Sequence, residues 1–169
     1  MGFLITILIA TVLFGFLPMP VQAASPTACN GYVSDAVSKA RDATNLRCGF
    51  SGPVWSTDEW GHKRWCLGAD PWSVSHEVIE RDRAFKKCQS CRNYASDAQR
   101  AVQKNLQNKC GFSGPRWNAD AEGHFRWCMD LNLGPSRPDS PTWTERDARE
   151  AELRKCLSGH TLGKRKRGP

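Results

Sequence analysis

Apolar residues recur at helical spacing through most of the chain, and in one place they run nearly without interruption. From Cys29 to about Arg47, Tyr32, Ala36, Ala40 and Ala43 form one stripe on a helical period, which predicts a first helix. Gly49 stands just past its end, where a left-handed cap is expected. Phe50 to Trp55 carries Gly52 and Pro53 and is expected to be irregular. A second, short helix is expected from Ser56, with Glu59 completing a capping box, to about Cys66, ahead of Gly68 and Pro71. A third is expected from about Ser73 to Lys87, with Glu77, Arg81, Phe85 and Cys88 on one face. The four-residue spacing of Glu77 and Arg81 predicts an intrahelical ion pair, worth about 0.2–0.5 kcal/mol where exposed.

The same pattern then starts again. Cys29, Cys48 and Cys66 recur as Cys91, Cys110 and Cys128, each 62 residues on. Cys88 falls on Cys156 once six extra residues are allowed around Pro135 to Pro141. Tyr32, Asp35 and Ala36 match Tyr94, Asp97 and Ala98, and Cys48 to Pro53 recurs letter for letter as Cys110 to Pro115. Trp55, Asp58, Gly61 and His62 match Trp117, Asp120, Gly123 and His124, and Arg64-Trp65-Cys66 recurs as Arg126-Trp127-Cys128. The second third-helix begins at Thr142, with Glu145 as its capping-box partner, and carries Glu145, Arg149, Leu153 and Cys156 on one face. So many matches in register imply duplication, and repeats decide architecture before any other feature. The expected fold is all-α: two tandem three-helix repeats, residues 24–88 and 89–157, stabilised by disulfides.

If three helices run up, down and up, the start of the first lies beside the end of the second. The end of the first then lies beside the end of the third. Of the three pairings that four cysteines allow, this topology predicts Cys29–Cys66 with Cys48–Cys88, and Cys91–Cys128 with Cys110–Cys156. A unit of about 60 residues buries a marginal core, and each disulfide adds about 2–4 kcal/mol, so stability alone accounts for the cysteines. Cys88-Gln89-Ser90-Cys91 has redox or zinc spacing, but it arises where the last cysteine of one copy meets the first of the next. No second such pair completes a zinc site, and Arg92 stands where haem attachment needs His.

A nearly unbroken apolar run, Phe3 to Leu17, precedes Pro18, Pro20 and the small-residue ending Val21-Gln22-Ala23. It reads as a signal peptide over residues 1–23, short for a bilayer-spanning helix of about 20 residues. No Lys or Arg precedes it, which leaves a retained anchor as the minor alternative. A lipoprotein fits less well, because Pro26-Thr27-Ala28-Cys29 lacks the usual aliphatic residue. Export places eight cysteines in an oxidising compartment, secreted or periplasmic. The net charge of +7 all lies beyond the signal segment. It favours acidic proteins, glycans or anionic envelope polymers as partners and makes nucleic acid an improbable one. The basic tail, 158–169, is expected to be disordered and could add affinity for anionic surfaces.

Candidate chemistry is sparse. His62 and His124 each follow an aspartate, Asp58 and Asp120, by one helical turn, so an Asp–His pair could serve a metal or a hydrolytic reaction. Neither copy supplies the second histidine or nucleophile that a catalytic set needs, and structural orientation is the simpler reading. No catalytic residue, metal ligand or cofactor is assigned. Tryptophans are more suggestive, because small domains seldom bury them all. Trp65 and Trp127, beside cysteines, are expected in the core, and Trp60, which is Glu122 in the second copy, on the surface. The Trp- and Arg-rich loops make Phe50, Trp55 and Arg64, with Phe112, Trp117 and Arg126, the candidate ligand-binding residues.

The layout C-x2-Y-x3-A, C-G-F-S-G-P-x-W, H-x2-W-C, E-x3-R-x3-[F/L]-x2-C resembles a four-cysteine repeat family of exported bacterial proteins of unknown function, over nearly all of Cys29 to Cys156. That resemblance implies no activity. The Gly-Pro-x-Trp element is also similar to one in a two-repeat, mannan-binding bacterial lectin that lacks this cysteine framework. The expected function is a non-enzymatic binding or structural module. The alternatives are a metal protein or hydrolase using the Asp/His pair, and an inhibitor of a secreted enzyme.

Overall fold

The computed structural model describes residues 23–131 and 140–165, with side chains as far as residue 159. Residues 1–22 of the expected signal segment, most of the loop with the six extra residues (132–139) and the last four residues of the tail lie outside that range. The described chain is all-α: α1 (Pro26–Asn45), α2 (Glu59–Gly68), α3 (Pro71–Gln107), α4 (Ala121–Asp130) and α5 (Pro141–Arg165). A single 3-10 turn, Pro53–Trp55 or Pro115–Trp117, leads into α2 and α4. Among the described residues, no helix is long and apolar enough to cross a membrane.

All four disulfides join the expected partners: Cys29–Cys66, Cys48–Cys88, Cys91–Cys128 and Cys110–Cys156. They are consistent with an oxidising compartment. Cys88 and Cys91 therefore belong to different bonds, one tied to the end of α1 and the other to α4.

The expected boundary between the copies does not interrupt the backbone. The third helix of the first copy and the first of the second are one 37-residue helix, α3, about 55 Å long at 1.5 Å per residue. The sequence carries the reason: no Gly or Pro occurs between Trp72 and Cys110, so nothing stops the helix at Cys88. Cys88 and Cys91 lie one turn apart on a shared face, and their cluster mixes both copies: Ala43, Cys48 and Phe85 with Tyr94, Phe125 and Cys128. Arg92 closes the same junction. Its Nε donates to the Leu46 carbonyl at 2.7 Å, its Nη1 to Glu122 at 2.6 Å, and its guanidinium lies over Phe125 at 3.4 Å. Glu122 thus has a partner that Trp60, exposed as expected, lacks. Satellite clusters hold the two ends, one around Tyr32, Ala36 and Val74, the other around Val102, Trp117 and Leu153.

Local signals were displaced by a few residues. The left-handed residue ending α1 is Arg47, at φ 54°, and its counterpart is Lys109, at φ 51°. In each case the next residue's N–H bonds to the carbonyl five back (Cys48 to Ala43, Cys110 to Asn105), the pattern of a Schellman cap. Gly49 and Gly111 follow in the same left-handed region and turn the chain into the loop. The second helix starts at Glu59, not Ser56, with Asp58 as its N-cap; Ser56 instead accepts from the Asp58 N–H at 3.0 Å. The aspartate lies over the first turn so closely that a Cβ on Gly61 would meet its carboxylate at 2.6 Å, and Gly123 meets Asp120 likewise. Glu145 forms no capping box and turns to Arg116 instead. Helix α5 continues to Arg165, so residues 158–165 of the expected disordered tail are helical.

Candidate functional site

Each copy opens a cleft at the same place in its fold. The first, about 440 Å³, is walled by Tyr32, Pro53, Val54, His62, Trp65 and Glu77. The second, about 620 Å³, is walled by the corresponding Tyr94, Pro115, Arg116, His124, Trp127 and Glu145. Helix spacing puts Tyr, His and Glu on the inner faces of three separate helices, and the disulfides hold those helices together. The Gly-Pro turn supplies the outer wall. Gly52 and Gly114 can make that turn because each takes a φ above 90°, a region that side chains disfavour.

The floor of the first cleft is a buried polar chain. His62 Nε2 lies 2.9 Å from the Ser56 carbonyl, which can only accept, so this nitrogen carries the proton. Nδ1 then accepts from the Tyr32 hydroxyl at 3.2 Å. Tyr32 in turn accepts from Arg81 Nη2 at 3.1 Å, and Arg81 pairs with Glu77 and reaches the Val54 carbonyl at 3.3 Å. The ion pair expected on α3 therefore forms, but around an arginine with only 1% exposure. In the second copy, His124 Nε2 meets the Asn118 carbonyl at 2.9 Å, and Arg149 Nη1 donates to Tyr94 at 3.3 Å.

Two of the differences between the copies put charge on the wall of the second cleft. Val54 and Ala84 of the first become Arg116 and Glu152 in the second. Arg116 donates through Nε and Nη2 to both oxygens of Glu145, at 2.8 and 3.1 Å, and through Nη1 to Glu152 at 2.6 Å. The other Glu152 oxygen accepts the Trp117 indole N–H at 2.9 Å. Equivalent glutamates consequently titrate in opposite directions. Burial pushes Glu77 above its ordinary 4.5, against the pull of Arg81. The hydrogen bonds from Arg116 hold Glu145 below 4.5. By linkage, the contribution of Glu77 is fully present below pH 4.5 and is lost as pH rises through its folded value. That of Glu145 is present above pH 4.5 and is lost as pH falls through its folded value. Carbon-13 carboxyl titration should place the two midpoints on opposite sides of 4.5; midpoints on the same side would contradict this geometry.

The residues singled out from sequence divide into three groups. Phe50 and Trp55 stack on each other at 4.2 Å, and Phe112 and Trp117 at 4.9 Å, with the pairs packed against core clusters. Of these four, only Trp117 lines a cleft. Arg64 and Arg126 are exposed and line neither; Arg126 lies 3.8 Å from Asp120. Trp65 and Trp127, expected in the core, are 42% and 38% exposed. Each leans on a buried tyrosine, at 5.3 and 5.5 Å, and turns its outer face to the cleft. The physical reason is spacing: Trp65 directly precedes Cys66 on α2, so when the cysteine faces inward its neighbour must point about 100° away.

The expected Asp–His pairing is not made, since both ring nitrogens of His62 are engaged elsewhere, by the Tyr32 hydroxyl and the Ser56 carbonyl. Among the described residues, no group of three His, Cys, Asp or Glu side chains is arranged to hold a metal ion. Sequence reasoning missed Tyr32, Pro53, Arg116, Arg149 and Glu152 as cleft residues. For the tyrosines, prolines and buried arginines the signal was available, because the repeat keeps all three. Comparison of the chain with protein-family models, curated proteins and solved structures finds no match.

Proposed function

We propose that the protein is an exported, non-enzymatic module that binds envelope or extracellular glycan through its two clefts. The observation that carries this reading is the pair of clefts in equivalent positions, each lined by a partly exposed tryptophan held over a buried tyrosine and by carboxylates. A fixed indole face suits the apolar face of a sugar ring, and carboxylates accept from its hydroxyls. The +7 charge supports attraction to acidic polymers at long range. Two weak sites on one rigid frame gain avidity when a polymer spans them. The four disulfides, consistent with an oxidising compartment, support the periplasm or cell exterior as the place of action. Against a metal or hydrolytic role stand the hydrogen bonds that occupy both ring nitrogens of His62.

Titration of intrinsic fluorescence with purified envelope polysaccharide and with defined tetrasaccharides tests the reading. Trp65→Ala and Trp127→Ala should each weaken binding at one cleft, and the double variant should lose at least tenfold in affinity with the fold intact by circular dichroism. A double variant that binds as the native chain does, or a native chain that retains no glycan at low salt, would sink it.

A further inference from the structure

Arg149 is 2% exposed and lines the second cleft, yet its Nη2 has no hydrogen-bond partner. Its counterpart Arg81 also leaves one nitrogen, Nη1, without a hydrogen bond, 3.8 Å from Asp35, but its Nη2 holds both Tyr32 and Glu77, four residues back on the same helix. The matching glutamate, Glu145, is held instead by the guanidinium fork of Arg116. A buried donor left unmet is costly, and Glu145 is the carboxylate that helical spacing places to meet it. Arg116 itself is one-third exposed, so a ligand can reach it. Glu152, fixed by the Trp117 indole, keeps Arg116 in place if Glu145 leaves.

We propose, building on the glycan reading, that the second cleft takes an acidic sugar, whose carboxylate replaces Glu145 on Arg116 while Glu145 returns to Arg149. The exchange trades one forked arginine–carboxylate pair for another and gives Arg149 the carboxylate that Arg81 already holds in the first copy. The first cleft lacks the device: Val54 stands where the fork would be, and Glu77 already sits on Arg81. The copies therefore differ in ligand, with uronate-type sugars at the second and uncharged sugars at the first.

Arg116→Val tests this cleanly, because valine is what the first copy carries at the same position in an otherwise matching turn. Isothermal titration with tetragalacturonate and with cellotetraose would compare the native chain, Arg116→Val, and Arg83→Gln as a control for lost charge. The expected result is at least a tenfold loss of tetragalacturonate affinity in Arg116→Val alone, with cellotetraose binding unchanged. On saturation with tetragalacturonate, the Arg149 guanidinium resonances of the native chain should shift. Equal tetragalacturonate affinities, or Arg149 signals that stay put, overturn the exchange and leave the glycan reading standing. Failure of the native chain to bind either sugar overturns both.

Discussion

Arg81→Ala is expected to lower the unfolding free energy by about 3–5 kcal/mol, the scale for breaking a buried ion pair by removing one partner. The side chain has no exposure and joins α1, the Val54 turn and α3 through Tyr32, the loop carbonyl and Glu77. Its removal leaves Glu77 charged and half-buried beside the cleft, and it unties the tyrosine that orients His62. Urea unfolding followed by tryptophan fluorescence measures the change. Arg149→Ala provides the internal comparison and should cost clearly less. Glu145 is already held by Arg116 there, so the deletion strips the Tyr94 hydrogen bond without stranding a carboxylate. Equal losses at the two sites would show that the glutamates do not differ as described.

Replacing Cys48 and Cys88 together by alanine is expected to cost about 4 kcal/mol from the freed unfolded chain, given the 40-residue separation that the bond closes. This bond shares the central cluster with Cys91–Cys128. It pins the end of α1 to the middle of α3, within the cluster where Phe85 of the first copy meets Phe125 of the second. Both copies should therefore lose stability in one transition, with the urea midpoint falling and the slope rising, because the uncrosslinked unfolded chain exposes more surface. A loss below about 1 kcal/mol would mean that apolar packing alone holds the junction, contrary to the marginal core expected of units this small.

Much of the frame was legible because it is encoded locally or by topology. Helical stripes, caps within a few residues and the doubled register of cysteines need no knowledge of distant contacts. Once three helices per copy are accepted, antiparallel packing brings only certain cysteine ends together. The continuous α3 was legible too, in the absence of any helix breaker between Trp72 and Cys110, but a boundary between sequence copies is not a boundary between helices.

The candidate site was not legible in the same way. Phe50 and Trp55 look like exposed loop aromatics until the loop folds and they stack on each other. Trp65 looks like core until the inward-facing Cys66 turns it toward the cleft. Arg116 in place of Val54 is a single difference along the chain, and nothing nearby announces that it will take a glutamate from 29 positions further on.

The sequence by itself determined the all-α class and the doubled register of cysteines, and an assumed up-down-up topology selected their pairing, because periodicity and chain connectivity are properties of neighbours. The tertiary structure alone decided which faces remain open and which arginine holds which carboxylate. Those outcomes depend on competition among groups far apart in the chain, and that competition exists only after the helices have packed.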